Sequence, residues 1–192
     1  MRTTTKLLLA ASAFAVAPAA QAATILPGNP GNVENSYFVV SGDIDNGPIS
    51  ASFGRSGLGA GTFSDTFLFT IDQNGFGSGS ITTILAGLPM GSTDLDFNSV
   101  IFNNGMMDYI VNTSMGDVEQ GGLANIPITF GTQNSLTVNY ESRGQGSYGG
   151  TLSFTPSAIP EPATWAMLLI GFGAMGSVVR RRKQTARVAY AF

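Results

Sequence analysis

The sequence contains no cysteine and no histidine. Without cysteine there is no thiol nucleophile, no thiolate metal ligand and no disulfide, and without histidine the usual general base near neutral pH is missing. A folded body of this composition must be held by packing and hydrogen bonds alone. Positive charge is nearly as scarce: residues 23–160 carry only two cations, Arg55 and Arg143, and no lysine, against eleven acids, a net charge of −9. A body of that sign is repelled by phosphate backbones and by anionic lipid, which argues against nucleic acid as a partner. The other cations stand near the two ends, at Arg2 and Lys6 and at Arg180, Arg181, Arg182, Lys183 and Arg187. There they read as topology signals. A length of 192 residues leaves room for one ordinary domain plus targeting segments.

Residues 1–22 have the form of a signal peptide: Arg2 and Lys6 make a positive start, residues 7–17 an apolar run, and Ala20-Gln21-Ala22 an A-x-A cleavage site. Residues 23–31 show little pattern, with Pro27, Gly28, Pro30 and Gly31 marking an irregular lead-in. From about residue 37 to 155, apolar, β-branched and aromatic residues recur with period two between clusters of Gly and Asn, the mark of strands and turns. Strands are expected at 37–40, 49–53, 62–71, 80–85, 95–102, 107–112, 126–130, 136–140 and 149–155. Asn74-Gly75 and Asn104-Gly105 supply connections that tolerate positive φ. The glycine-rich stretches 54–61 and 144–150 lack the lysine and helix of a phosphate loop and read as mobile loops. The expected fold is all-β, an antiparallel β-sandwich over 23–155, jelly-roll-like or Ig-like, with the signal peptide before it and a transmembrane helix after it.

A Pro-rich linker occupies 156–162, residues 163–179 are uncharged, and Arg180, Arg181, Arg182 and Lys183 close the run. A helix over the uncharged run is roughly 25 Å long, slightly short of the ~30 Å hydrocarbon core. With Trp165 at one interface and the arginines at the other, 163–183 is expected to span the inner membrane, leaving 184–192 in the cytoplasm and the body outside.

Pro160-Glu161-Pro162, then Trp165-Ala166 within an apolar run, then the basic cluster, resembles the PEP-CTERM sorting signal in its PEPxxWA variety. The same kind of tail is also labelled an ice-binding-protein C-terminal domain. The resemblance covers some 25 residues and implies handling by an exosortase-type membrane transpeptidase that cuts near Pro160, Glu161 and Pro162. Residues 184–192 extend beyond the minimal pattern. A second resemblance lies in the body, where Phe63-Ser64-Asp65-Thr66-Phe67 is similar to the FxDxF pattern of a group of PEP-CTERM proteins.

In a strand through 62–71, Phe63, Asp65, Phe67, Phe69 and Ile71 share one face and Thr62, Ser64, Thr66, Leu68 and Thr70 the other. Asp65 is then a lone acid on an aromatic face. A buried carboxylate needs donors, and the candidates are backbone amides, a hydroxyl, Arg55 or Arg143. Glu119 reads instead as an exposed acid. Asp43-Ile44-Asp45-Asn46-Gly47 opens like a calcium loop but departs from the EF-hand spacing, and with Asp94-Leu95-Asp96 it reads as a turn. Nothing selects a pair of acids for hydrolysis, so no enzyme, no cofactor and no metal site is expected.

The expectation for function is therefore an exported, non-enzymatic protein of the cell surface or exopolysaccharide matrix, with biofilm organisation as its setting. Its expected partners are an exosortase-type transpeptidase, the inner membrane transiently, and exopolysaccharide. The alternative is an extracellular module binding carbohydrate through a cluster of Tyr37, Tyr109, Tyr140 and Tyr148, or calcium, or ice through the flat face of Thr62, Thr66 and Thr70.

Overall fold

The computed structural model describes residues 21–28, 33–43, 47–157 and 162–182. The chain divides into two compact units, Met1–Pro156 and Ser157–Phe192. Among the described residues the first holds ten strands: β1 (Gln21–Ile25), β2 (Ser36–Gly42), β3 (Ile49–Leu58), β4 (Gly61–Thr70), β5 (Gly75–Ile84), β6 (Leu95–Asn103), β7 (Asp108–Val111), β8 (Gln120–Ile128), β9 (Gln133–Ser142) and β10 (Gly146–Pro156). The described residues of the second hold one helix, α1 (Pro162–Arg182).

The strands form two five-stranded sheets, in the orders β1-β4-β9-β6-β7 and β2-β3-β10-β5-β8. All pairings are antiparallel except β1 with β4, which is parallel. Only β2–β3 and β6–β7 are hairpins between consecutive neighbours; every other connection passes from one sheet to the other. The sandwich follows from the period-two pattern: inward positions such as Phe38, Phe53, Phe67, Val100, Val138 and Phe154 are buried, each 3% exposed or less.

All nine expected strands are present; seven run longer than the apolar pattern suggested, β4 keeps its expected length one residue earlier, and β7 is shorter. The stretches expected to be mobile loops are corrected: Gly54 and Gly57 lie within β3, and Gly146, Gly149 and Gly150 within β10. A Cβ at Gly150 would stand 2.3 Å from the Ser80 carbonyl oxygen and 2.4 Å from the Phe53 ring, so these glycines are where backbones and rings approach closely. The irregular lead-in is corrected at its start, since Gln21–Ile25 is a strand with Ile25 1% exposed. Its side chains gain their order from the partner strand, with Ala23 opposite Asp65 and Ile25 opposite Phe67.

Asn104 shows how the β6–β7 hairpin is fixed. Its Oδ1 accepts from the Met106 and Met107 amides at 3.1 and 3.0 Å, its Nδ2 donates to the Pro127 carbonyl at 2.9 Å, and Gly105 follows with φ of +81°. Asn74 serves a crossing between sheets instead, its Oδ1 accepting from the Phe130 amide at 2.9 Å.

The core is not filled throughout. Between the sheets lies an apolar space of about 320 Å³, walled on one side by Phe69, Val100, Phe102, Val111 and Leu136, and on the other by Val40, Ala51, Gly77, Gly79, Gly121 and Leu152. The second wall explains the space: Ala51 and Gly77 occupy inward positions on strands whose other inward residues include Ile49, Phe53 and Ile81, whereas Leu152 and Val111 already cover Gly79 and Gly121.

Helix α1 begins at Pro162, a residue whose fixed φ and missing N–H suit the first turn. Its 21 residues make about 31 Å of helix. Even so, no helix among the described residues is long and apolar enough to cross a membrane, which corrects the expected transmembrane span. The physical reason is dilution: Gly171, Gly173, Gly176 and Ser177 sit within it and Arg180, Arg181 and Arg182 form its last turn.

Candidate functional site

The FxDxF segment lies in β4, and its alternation delivers what a strand dictates: Phe63, Asp65 and Phe67 point inward, 8%, 0% and 0% exposed. Asp65 is held by donors from three other strands. The Arg55 guanidinium from β3 reaches its Oδ1 at 2.8 Å. The Tyr140 hydroxyl from β9 and the Tyr148 hydroxyl from β10 donate to its Oδ2 at 2.6 and 2.7 Å. Arg55 and Tyr148 belong to the opposite sheet, whereas Tyr140 is a strand neighbour of β4. The carboxylate therefore joins the two layers at their centre. Charge-assisted bonds of this length are among the stronger ones, and a buried carboxylate is tolerated only with such a set.

The flanking phenylalanines complete the cluster. Phe63 stacks on Tyr140 with centroids 5.4 Å apart, and Phe67 packs against Phe53 at 5.0 Å and edge-on against Phe38 at 5.6 Å. Tyr140 and Tyr148 lie 5.0 Å apart. Burial, then the hydrogen bond to the Asp65 carboxylate, pushes the Tyr140 phenol well above its usual value. Burial and the same charge raise Tyr148. Burial pulls the Arg55 guanidinium down, but Asp65 together with Tyr140 and Tyr148 outweighs it and the net direction is up. The cluster is thus an ion pair with two protonated phenols, and Asp65 has no exposed surface through which anything outside the fold could reach it.

Of the candidate partners in the sequence, Arg55 takes Asp65 and Arg143 does not. Arg143 bridges Asp94 at 2.9 Å and Asp96 at 3.1 Å, joining the start of β6 to the β9–β10 turn. The expected turn at Asp94-Leu95-Asp96 is corrected accordingly: Leu95 and Asp96 open β6, and Asp94 is 3% exposed. Glu119 is also corrected, since it is 8% exposed, its carboxylate accepts a hydrogen bond from the Phe97 amide, and its own amide donates to Thr83 Oγ1 at 2.8 Å. Burial raises its carboxyl above the usual range, with Asp96 and Asp94 adding to the shift against the Phe97 bond.

Tyr140 and Tyr148 are the functional partners that sequence reasoning did not assign. Both occupy inward, even-numbered positions of strands whose periodicity was visible, and that was the available signal. Their burial removes them from any exposed aromatic platform. Of the other two tyrosines, Tyr37 is on β2 and Tyr109 on β7, in different sheets, so the tyrosine cluster expected for carbohydrate is not formed. The threonine face is only partly open: Thr62 and Thr66 are half-buried, and Thr66 lies 3.4 Å from the Thr137 hydroxyl. Residues 44–46 of the acidic loop lie outside the described residues. Among the described residues no group of three or more acids could hold a metal ion.

In the tail, Trp165, Ala166, Arg180 and Arg181 are exposed on α1, and Pro162 and Arg182 are its first and last residues. Pro160, Glu161 and Lys183 lie outside the described residues, as does the signal peptide through residue 20. Residues 158–183 match the model of the PEP-CTERM protein-sorting motif. The chain carries a PEP-CTERM sorting domain. The motif marks an exported protein that is held at the membrane and processed by an exosortase, a membrane enzyme. Among curated proteins none matches the chain. Among solved structures, the pre-peptidase C-terminal domain of a collagenase from Bacillus anthracis is similar at 11% identity, over 70% of this chain and 97% of that one, with a TM-score of 0.31.

Proposed function

We propose that this PEP-CTERM protein is a non-enzymatic component of the cell surface or exopolysaccharide matrix, its β-sandwich being the delivered cargo and its tail the address. The observation that carries the reading is the sorting motif at 158–183 on a segment separate from a compact ten-stranded body. The state of the acids supports the non-enzymatic part: Asp65 is sealed within its cluster, Asp94 and Asp96 are engaged by Arg143, and Glu119 is buried against Phe97. Paired-carboxylate hydrolysis needs two acids facing a space that substrate can enter, and these four are committed to the fold. In this reading Pro160, Glu161 and Pro162 are the recognised substrate of the exosortase, and the PEPxxWA variety adds Trp165 and Ala166.

Replacing Pro160, Glu161 and Pro162 together by alanine is the test. Export should continue while the full-length chain stays at the membrane, and wild-type surface material should end near residues 160–162 without Trp165. An intact peptide spanning 155–180 on the mature surface protein, found by mass spectrometry, would overturn the reading.

A further inference from the structure

The space between the sheets has no part in sorting and no part in the Asp65 cluster. Its lining includes Val40, Ala51, Phe69, Leu123 and Leu152, which point toward the opposite sheet yet stay only partly buried. A core position that faces another layer and still meets solvent is an apolar wall without its packing partner. The volume of about 320 Å³ lies at the lower end of small-ligand pockets, which run from about 300 Å³ upward. Among the described residues the lining contains no charged side chain except Asp72, an exposed residue on the segment that follows β4.

We propose that this space is a binding site for an aliphatic chain carrying an uncharged or cationic head group. The chain fills the gap left by Ala51 and Gly77 against Phe69 and Phe102, and the head lies toward Asp72. Apolar walls select hydrocarbon without selecting a pattern of donors and acceptors. Asp72, in a body of net charge −9, disfavours a carboxylate or phosphate head by like-charge repulsion. Fatty-acid anions are therefore poor ligands and long-chain alcohols, amides or amines good ones.

The test uses the full chain without detergent and the neutral dye N-phenylnaphthylamine, whose fluorescence rises in an apolar site. The dye should bind, n-decanol and decyltrimethylammonium should displace it, and decanoate should do so about tenfold more weakly. Exposed apolar side chains on α1 could also take up dye, so two variants fill the space itself. A Cβ added at Gly77 meets the Ile128 side chain at an ordinary 3.4 Å, which makes Gly77→Val tolerable, and Ala51→Leu fills the space from β3. Each should weaken dye binding about tenfold or more and keep a cooperative melt. Asp72→Lys, at an exposed position, should leave the fold untouched and bring decanoate level with n-decanol or beyond it. Unchanged dye binding in a folded Gly77→Val or Ala51→Leu chain, failure of n-decanol to compete, or no gain by decanoate in Asp72→Lys overturns the proposal.

Discussion

Replacing Asp65 by alanine removes one carboxylate and strands three donors. Arg55 keeps its charge with a side chain 12% exposed, and Tyr140 and Tyr148 keep hydroxyls inside the core. Breaking one side of a buried ion pair costs about 3–5 kcal/mol, chiefly because the remaining charge has no counterion. The two hydroxyls add to this, since each loses a bond to a charged acceptor. For a body of this size 1 kcal/mol shifts Tm by about 3–4 °C, so Asp65→Ala should lower it by roughly 10–20 °C. Thermal and denaturant unfolding measure the loss, and a second substitution isolates its cause. Arg55→Met in the Asp65→Ala background removes the stranded charge and should recover a large part of the stability, since apolar replacement of a whole buried pair is often near neutral. Tyr148→Phe alone, which deletes one donor and no volume, should cost only about 1–3 kcal/mol. A loss below about 1 kcal/mol for Asp65→Ala, or no recovery on adding Arg55→Met, would refute the argument that the carboxylate is held for its partners.

Three further outcomes follow from other parts of the fold. Glu119 has a folded pKa raised by burial, so its carboxylate form disfavours the fold, and stability falls as pH rises through and above the unfolded value of 4.5; Glu119→Gln keeps an acceptor for the Phe97 amide and should flatten that slope in acid and neutral denaturation curves. Tyr140 and Tyr148 are raised as well, so the stability their protonated forms contribute is present below about pH 10 and lost as pH climbs above it; their phenolate absorbance should appear only as the chain unfolds, whereas early ionisation of both in the folded state would contradict the cluster. If signal peptidase cuts after Ala22, N-terminal sequencing of exported protein should begin at Ala23, and strand β1 should persist on Ala23, Thr24 and Ile25 because Ile25 is buried.

The parts of this fold that the sequence made legible are those set by local alternation. Nine strands and the inward facing of Asp65 follow from a period of two, which needs no knowledge of the partner strand. Glycine was the main source of error. Gly54, Gly149 and Gly150 mark close approach within strands, and a reading that treats glycine as loop cuts β3 and β10 short. Strand β1 was missed for a different reason: Gln21-Ala22-Ala23 carries no β pattern of its own, and its order comes from parallel pairing along β4. The partners of Asp65 were half visible. With only two arginines in the body the ion pair had two solutions, but that Tyr140 and Tyr148 converge on one carboxylate oxygen depends on how β9 and β10 pack across the core. The unfilled space between the sheets was not legible at all, because small residues reveal a gap only when what faces them is known.

The cluster around Asp65 also explains how a chain without disulfides could hold one arrangement of two sheets. Strand β4 lies between β1 and β9, and its outward residues Ser64, Thr66 and Leu68 are half-buried, so polarity alone separates its two faces weakly. A slip of β4 by one residue against β9 would turn Phe63, Asp65 and Phe67 outward and bring Ser64, Thr66 and Leu68 into the core. The apolar loss from such a slip is limited by Leu68, but the electrostatic loss is not. Arg55 would then lie in the interior with no carboxylate, and Tyr140 and Tyr148 with no acceptor. A buried ion pair adds little net stability over apolar packing, yet it penalises every register in which one member arrives without the other. By that logic the FxDxF segment acts on specificity more than on stability. The Arg55→Met, Asp65→Ala double variant should therefore recover a large part of the wild-type stability while showing faster amide exchange along β4 and β1, where the register is no longer enforced.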